Sequence, residues 1–200
     1  MSTAQKLSHN LSFINYTFFI VIVALKVYNI GMAAELRSEI ELFNPTAGAE
    51  RLVTQTKEIA YLLKHPTVRT HHLLLALTGL PWSGPVLEYS GITQHLVRKT
   101  IYDIAGFGNV YPKEDQFSTS PQVLRVVEIA SKSASIRKAK QLDTAHILEG
   151  LGVVYRSGLG EVEEVLEKRG GLTLSLLRDR QLLRRVRELE RRALLLEKPN

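Results

Sequence analysis

The sequence predicts an all-α protein made of two tandem four-helix repeats with pseudo-two-fold symmetry, plus a long C-terminal helix. Three observations predict it. Val68-Arg69-Thr70-His71-His72-Leu73-Leu74-Leu75-Ala76-Leu77 reads nearly the same as Leu142-Asp143-Thr144-Ala145-His146-Ile147-Leu148-Glu149-Gly150-Leu151, which sets Thr70 and Thr144 74 residues apart. Phe43 and Phe117, Arg51 and Arg125, Val53 and Val127, and Ala60 and Ala134 keep the same offset. An internal repeat implies that each unit buries its apolar face against its copy. Apolar residues recur with helical period, and no stretch carries a strand signal of sheet-forming length.

From Thr46, the positions Leu52, Ile59, Leu62 and Leu63, with Ala49, Val53, Thr56 and Ala60, put one apolar stripe on a helix. It is expected to end near His65-Pro66, because proline disfavours the α region for the residue before it. Thr70 is expected to cap a short apolar helix over about 71–78 through its hydroxyl. Gly79 to Pro85 is rich in turn formers. A helix over 85–90 should end at a left-handed Gly91, and Thr93 should open another to about Ala105. Gly106 to Gln116 links the halves. Ser120-Pro121 starts the second half in cap-then-proline order, with a helix to about Lys140. Thr144 is expected to cap the next, 153–160 to form a loop, and 161–169 a helix closed by Gly170-Gly171. Thr173 is expected to cap the last helix, running to about Lys198.

The chain has 200 residues, enough for a sizeable core, and ordinary apolar and charged content of 44% and 23%. It has no cysteine, which excludes disulfides, thiolate metal sites and a cysteine nucleophile. The net charge is +6, of which residues 174–200 carry +4, with eight basic groups against four acidic. The basic balance therefore belongs mostly to the tail and argues little for nucleic-acid binding by the body.

Residues 1–34 form a segment apart. Phe13 to Leu25 is nearly apolar but too short to span a bilayer, which takes about 20 apolar residues. It reads as a targeting or anchoring segment, as a packed helix, or as an extension preceding a true start at Met32. The expected compartment is the cytoplasm, with membrane association if 13–34 acts as an anchor.

With both halves laid out, the chain resembles the N-terminal domain of Clp-type AAA+ unfoldases over about 43–178, with repeats at 43–105 and 117–178. The carriers are Thr70-His71-His72-Leu73-Leu74-Leu75-Ala76-Leu77 with Gly91-Ile92-Thr93, and Thr144-Ala145-His146-Ile147-Leu148-Glu149-Gly150-Leu151 with Gly171-Leu172-Thr173. The opening Thr119-Ser120-Pro121 fits as well. The resemblance implies a tandem of four-helix repeats that docks adaptors and substrates ahead of an ATPase ring. Some members read phosphorylated arginine through two glutamates, at the positions held here by His71 and Ala145. A carboxylate pairs bidentately with guanidinium, and neither His nor Ala does so. The resemblance therefore does not carry that activity over, and restoring both acids is expected to revive it. The chain also ends too soon for an ATPase module and has no Gly-x-x-x-x-Gly-Lys-Ser/Thr string. It is read as the docking domain alone.

The expected function is therefore non-catalytic, with no cofactor and no metal. His71 and His72 are adjacent on a helix, where neighbours do not face the same way, and no third ligand has useful spacing. His72 and His146 are expected to be histidines bonded to backbone near helix starts. The expected partner is a protein: a Clp ATPase, protease core, adaptor or substrate segment. Candidate contacts are Thr70, His71, Thr144, Ala145, Trp82 and Tyr89, although a buried aromatic is the plain reading of Trp82 and Tyr89. Residues 179–200 form an Arg-rich amphipathic helix. Leu182, Val186, Leu189, Ala193 and Leu196 make a seam of about two heptads, flanked by Arg180, Arg184, Arg187 and Arg191. That helix either folds back on its own domain, binds a partner or a second copy, or meets an acidic surface. The alternative function is a membrane-tethered or nucleic-acid-associated interaction protein using 13–34 or this helix.

Overall fold

The computed structural model describes residues 44–113, 117–157, 160–170, 177 and 179–196. The N-terminal segment 1–34, Phe43, Thr173, Arg178 and Lys198 lie outside them. Eight helices and two very short strands are described: α1 Ala47–Leu62, β1 Thr67–Val68, α2 Thr70–Gly79, α3 Gly84–Tyr89, α4 Gln94–Ile104, β2 Ser118–Thr119, α5 Pro121–Ile136, α6 Thr144–Ser157, α7 Glu161–Gly170 and α8 Arg180–Leu196.

The 74-residue offset governs backbone hydrogen bonds as well as residue types. Thr46 and Ser120 are equivalent N-caps, their hydroxyls accepting from the amides of Ala49 and Val123. α1 and α5 end the same way. Lys64 and Lys138 take left-handed φ of +58° and +51°. The amides of His65 and Ala139 reach back to the carbonyls of Ala60 and Ala134, both at 2.9 Å. That is the Schellman pattern. Pro66 therefore does not set the end of α1, since α5 ends identically with Lys140 in the corresponding place. The same geometry stops α5 at Ile136, four residues before the expected Lys140.

The strands depart from the sequence expectation of no sheet. β1 and β2 pair in parallel, Thr67 with Ser118 and Val68 with Thr119. An isolated parallel bridge joins Pro45 to Leu142. Leu142 is the repeat mate of Val68 and Pro45 that of Thr119, so this bridge is the symmetry copy of the β pairing. The Ser120 amide donates to Val68 O and the Thr46 amide to Leu142 O, both at 2.9 Å. Two-residue pairings leave no periodicity to read. Each ties the start of one half's long helix to the segment before the other half's short helix.

The core is built mainly from α1, α2, α5 and α6, with α5 packed on α6 and α1 on α2. Leu52, Leu74, Leu77, Val126, Leu148 and Leu151 are fully buried. α2 buries nine of its ten residues, as expected of a short helix apolar on all sides. Its entry is closed by His72 and not by Thr70: the Arg69 amide donates to His72 Nδ1 at 2.9 Å. Asp143, not Thr144, caps α6, its carboxylate accepting from the His146 amide at 2.9 Å. α6 also runs on to Ser157 through the expected loop. Gly91 takes φ +83° as expected and closes α3.

α4 packs on α2 and α7; α8 packs on α6, α3 and α1. α8 thus holds in the second half the place that α4 holds in the first. Asp179 caps it, accepting from the amides of Gln181 and Leu182. Among the described residues no helix is long and apolar enough to cross a membrane.

Candidate functional site

A cleft of about 740 Å³ lies between the halves. Its walls are the segment His65 to His71, the start of α5 from Ser118 to Gln122, the end of α4, and Tyr155 with Glu161 to Glu163. The parallel pairing positions it, because β1 and β2 bring the starts of α2 and α5 side by side.

At the buried edge, Thr70 donates its hydroxyl to Glu163 Oε1 at 2.8 Å, and Tyr155 donates to Thr70 O at 3.4 Å. Burial raises the Glu163 carboxyl, against the lowering effect of the Thr70 bond. Burial, with Glu163 alongside, raises the Tyr155 phenol well above its ordinary value. Arg69 is exposed at the same edge.

Three histidines form one wall. The His65 and His72 rings are linked through Nδ1 and Nε2 at 2.8 Å, and His65 Nε2 lies 3.2 Å from Gly106 O. The protons follow from the partners. His72 Nδ1 accepts from Arg69, so its proton sits on Nε2 and is donated to His65 Nδ1; His65 then donates from Nε2 to Gly106 O. His71 packs edge-on against His72, with ring centroids 4.3 Å apart. Its Nε2 is buried with no hydrogen-bond partner among the described residues. Burial lowers all three, against the raising effect of the Gly106 bond at His65 and with Arg69 adding to it, and His71 falls to about 4, so the rings are neutral at neutral pH.

The expectation that no third histidine joins His71 and His72 is corrected here. His65 is folded back onto them by the reversal at Lys64, and one nitrogen of each ring lies within 4.8 Å of the others.

The repeat places a twin of this cleft at the other end of the pseudo-axis, where Thr46, Gly48, Asp143 and Thr144 correspond to Ser120, Gln122, Arg69 and Thr70. That twin is closed by two side chains of α8. Glu190 accepts from the Thr46 hydroxyl at 2.5 Å and from the Thr144 amide at 3.1 Å. Arg187 Nε donates to Asp143 Oδ2 at 2.5 Å. A Cβ on Gly48 would come 2.2 Å from Glu190 Oε1, so the glycine makes the space. Burial raises the Glu190 carboxyl.

The sequence-derived candidates are therefore divided. Thr70 and His71 line the open cleft, though each is largely buried. Thr144 and Ala145 are fully buried. Trp82 is no exposed anchor: it is 1% exposed, and its Nε1 donates to Thr144 Oγ1 at 3.2 Å. Tyr89 is 87% exposed, but away from the cleft lining. Arg180, Arg184 and Arg191 are exposed on α8. Glu163, Tyr155, Arg69 and His65 were not singled out. Glu163 stands among Glu161 and Glu164 in a helix start that reads as solvated, and His65 reads as a residue before proline.

The chain matches the family model of the Clp repeat (R) N-terminal domain over residues 44–168 and belongs to that family. Among solved structures it is similar to the N-terminal domain of the caseinolytic protease associated chaperone ClpD from Arabidopsis thaliana. They share 27% identity, covering 72% of this chain and 95% of that one, with a TM-score of 0.56. The fold is shared with the ClpV N-domain in complex with a VipB peptide, at 19% identity, coverage of 76% and 92%, and a TM-score of 0.55. It is shared too with the Hsp104 N-terminal domain from Candida albicans, at 15% identity, coverage of 74% and 91%, and a TM-score of 0.54.

Proposed function

We propose that this domain is a non-catalytic docking module whose open cleft takes a segment of a protein partner: a Clp chaperone or protease component, an adaptor, or a substrate. Membership of the Clp N-domain family supports a protein partner, and the ClpV relative is a complex with a peptide. The observation that carries the cleft assignment is the asymmetry between the two twins. Among the described residues, Arg187 and Glu190 of α8 close one, while α4, in the matching place, leaves the other open. The closed twin is a guide to the occupant of the open one. There Arg187 of the helix answers Asp143; in the open cleft the matching position is Arg69. A segment docking there thus brings a carboxylate, the opposite sign to Arg187.

Photo-crosslinking in cells tests this, with the probe at Gln122 in the cleft or at exposed Ile136 at the far end of α5, about 21 Å along the helix. The Gln122 probe should capture a Clp component, an adaptor or a client of that machinery, and Arg69→Glu should abolish the capture. Equal capture from both positions, or capture indifferent to Arg69→Glu, would reject the cleft as the docking site.

A further inference from the structure

We infer that His65, His71 and His72 form a binding site for a divalent transition-metal ion of the zinc type. Zinc takes neutral imidazole nitrogens at about 2.0–2.1 Å. Three rings converge here, one nitrogen of each within 4.8 Å of the others. His65 is held as a ligand should be. Its Nε2 proton faces Gly106 O, which leaves Nδ1 as the lone-pair nitrogen; a backbone carbonyl behind the ring commonly fixes a metal-bound histidine this way. His71 Nε2 is buried, with no hydrogen-bond partner among the described residues, and an ion would satisfy it. His65 and His71 both border the cleft, which supplies an entry path and room for water ligands.

His72 is the costly ligand. Without metal its Nε2 proton is shared with His65 Nδ1 across 2.8 Å. The ion takes that proton's place, and the two nitrogens must open to about 3.3 Å for tetrahedral coordination. The proton moves to His72 Nδ1, and the bond from the Arg69 amide at the start of α2 is given up. The site is therefore weaker than a preformed three-histidine site, with a Kd on the order of 1–10 μM. Nothing in the repeat demands the cluster, since Ala139 and Ala145 stand at the mates of His65 and His71.

The test is calorimetric titration of the full, tag-free chain with zinc chloride. One ion should bind with micromolar Kd. His65→Ala and His71→Ala should each weaken binding at least tenfold, while His95→Ala, at an exposed position on α4, should not. Because an alanine variant could fold poorly, histidine nitrogen resonances of the unaltered protein provide the second readout. Zinc should move those of His65 and His71 and leave His146 in place. No binding at 100 μM zinc, binding that survives both variants, or shifts confined to His95 or His146 would overturn the assignment. The docking proposal stands or falls separately, because its readout is the Arg69 dependence of protein capture.

Discussion

Individual side chains show how much of this fold depends on polar groups placed under cover. Trp82 fills the core, bonds Thr144, and carries Arg51 over its ring at 5.6 Å. Trp82→Ala should cost about 3–5 kcal/mol in denaturant unfolding, whereas Tyr89→Ala, on an 87% exposed residue, should stay within about 0.5 kcal/mol. Asp143 is buried, which raises its carboxyl, but the bonds from His146 and Arg187 outweigh that and hold it at about 2. A folded-state value below the unfolded one stabilises above the unfolded pKa, near 3.8, and is lost as pH falls through about 2. Arg187→Ala should therefore move the midpoint of acid unfolding to higher pH, followed by circular dichroism. The two family glutamate positions also behave differently from the sequence expectation. Ala145 has no exposed surface, and α8 sets Glu190 on the amide next to it. Ala145→Glu should thus destabilise by several kcal/mol, through a buried unpaired carboxylate, and not restore a phosphoarginine site.

Elements meet closely where small residues allow it. α6 crosses α5 at Gly150, where a Cβ would come 2.4 Å from Val126 O. The contact is with backbone, so no side-chain rotation relieves it. Gly150→Ala should cost about 1–3 kcal/mol by overpacking, read as a lower denaturant midpoint at unchanged m. Its repeat mate, Ala76, accommodates the methyl group, so the two halves are not interchangeable here. α8 matters more than an appended tail would. Leu182, Leu183 and Val186 are buried, at roughly 1.5–3 kcal/mol each, and Glu190 ties two helix starts together through the Thr46 hydroxyl and the Thr144 amide. Truncation after Leu177 should lower the melting temperature sharply and expose the second cleft. A truncated protein as stable as the full chain would show that α8 only rests on the surface.

The whole domain is tied together by contacts that cross between halves: the β1–β2 pairing, the Pro45–Leu142 bridge, and Trp82 on Thr144. Neither half has its strand partner within itself. The prediction is a single cooperative unfolding transition. A fragment covering 44–113 should show little helical circular dichroism alone and gain it when mixed with 117–200. Two separate transitions, or an independently folded fragment, would contradict this. The two clefts belong to the same symmetry, and they differ in that α8 closes one of them.

The sequence by itself determined the all-α class, the tandem repeat and the order of the helices, because a fixed 74-residue offset and a helical apolar period are local, additive signals. It also placed Thr46, Ser120 and Gly91 at helix ends, where the deciding chemistry lies within three or four residues. What only the tertiary structure decided depends on residues far apart in the chain. His72 and Asp143 cap where Thr70 and Thr144 were expected to: the Thr70 hydroxyl goes to Glu163, 93 residues away, and the Thr144 hydroxyl accepts from Trp82, 62 residues away. Trp82 went inside to meet Thr144. His65 joined His71 and His72 through a left-handed lysine that no propensity predicts. The cleft itself has no sequence signature, since it depends on side chains brought from distant elements: Arg187 and Glu190 of α8 close one twin, while α4, in the matching place, leaves the other open.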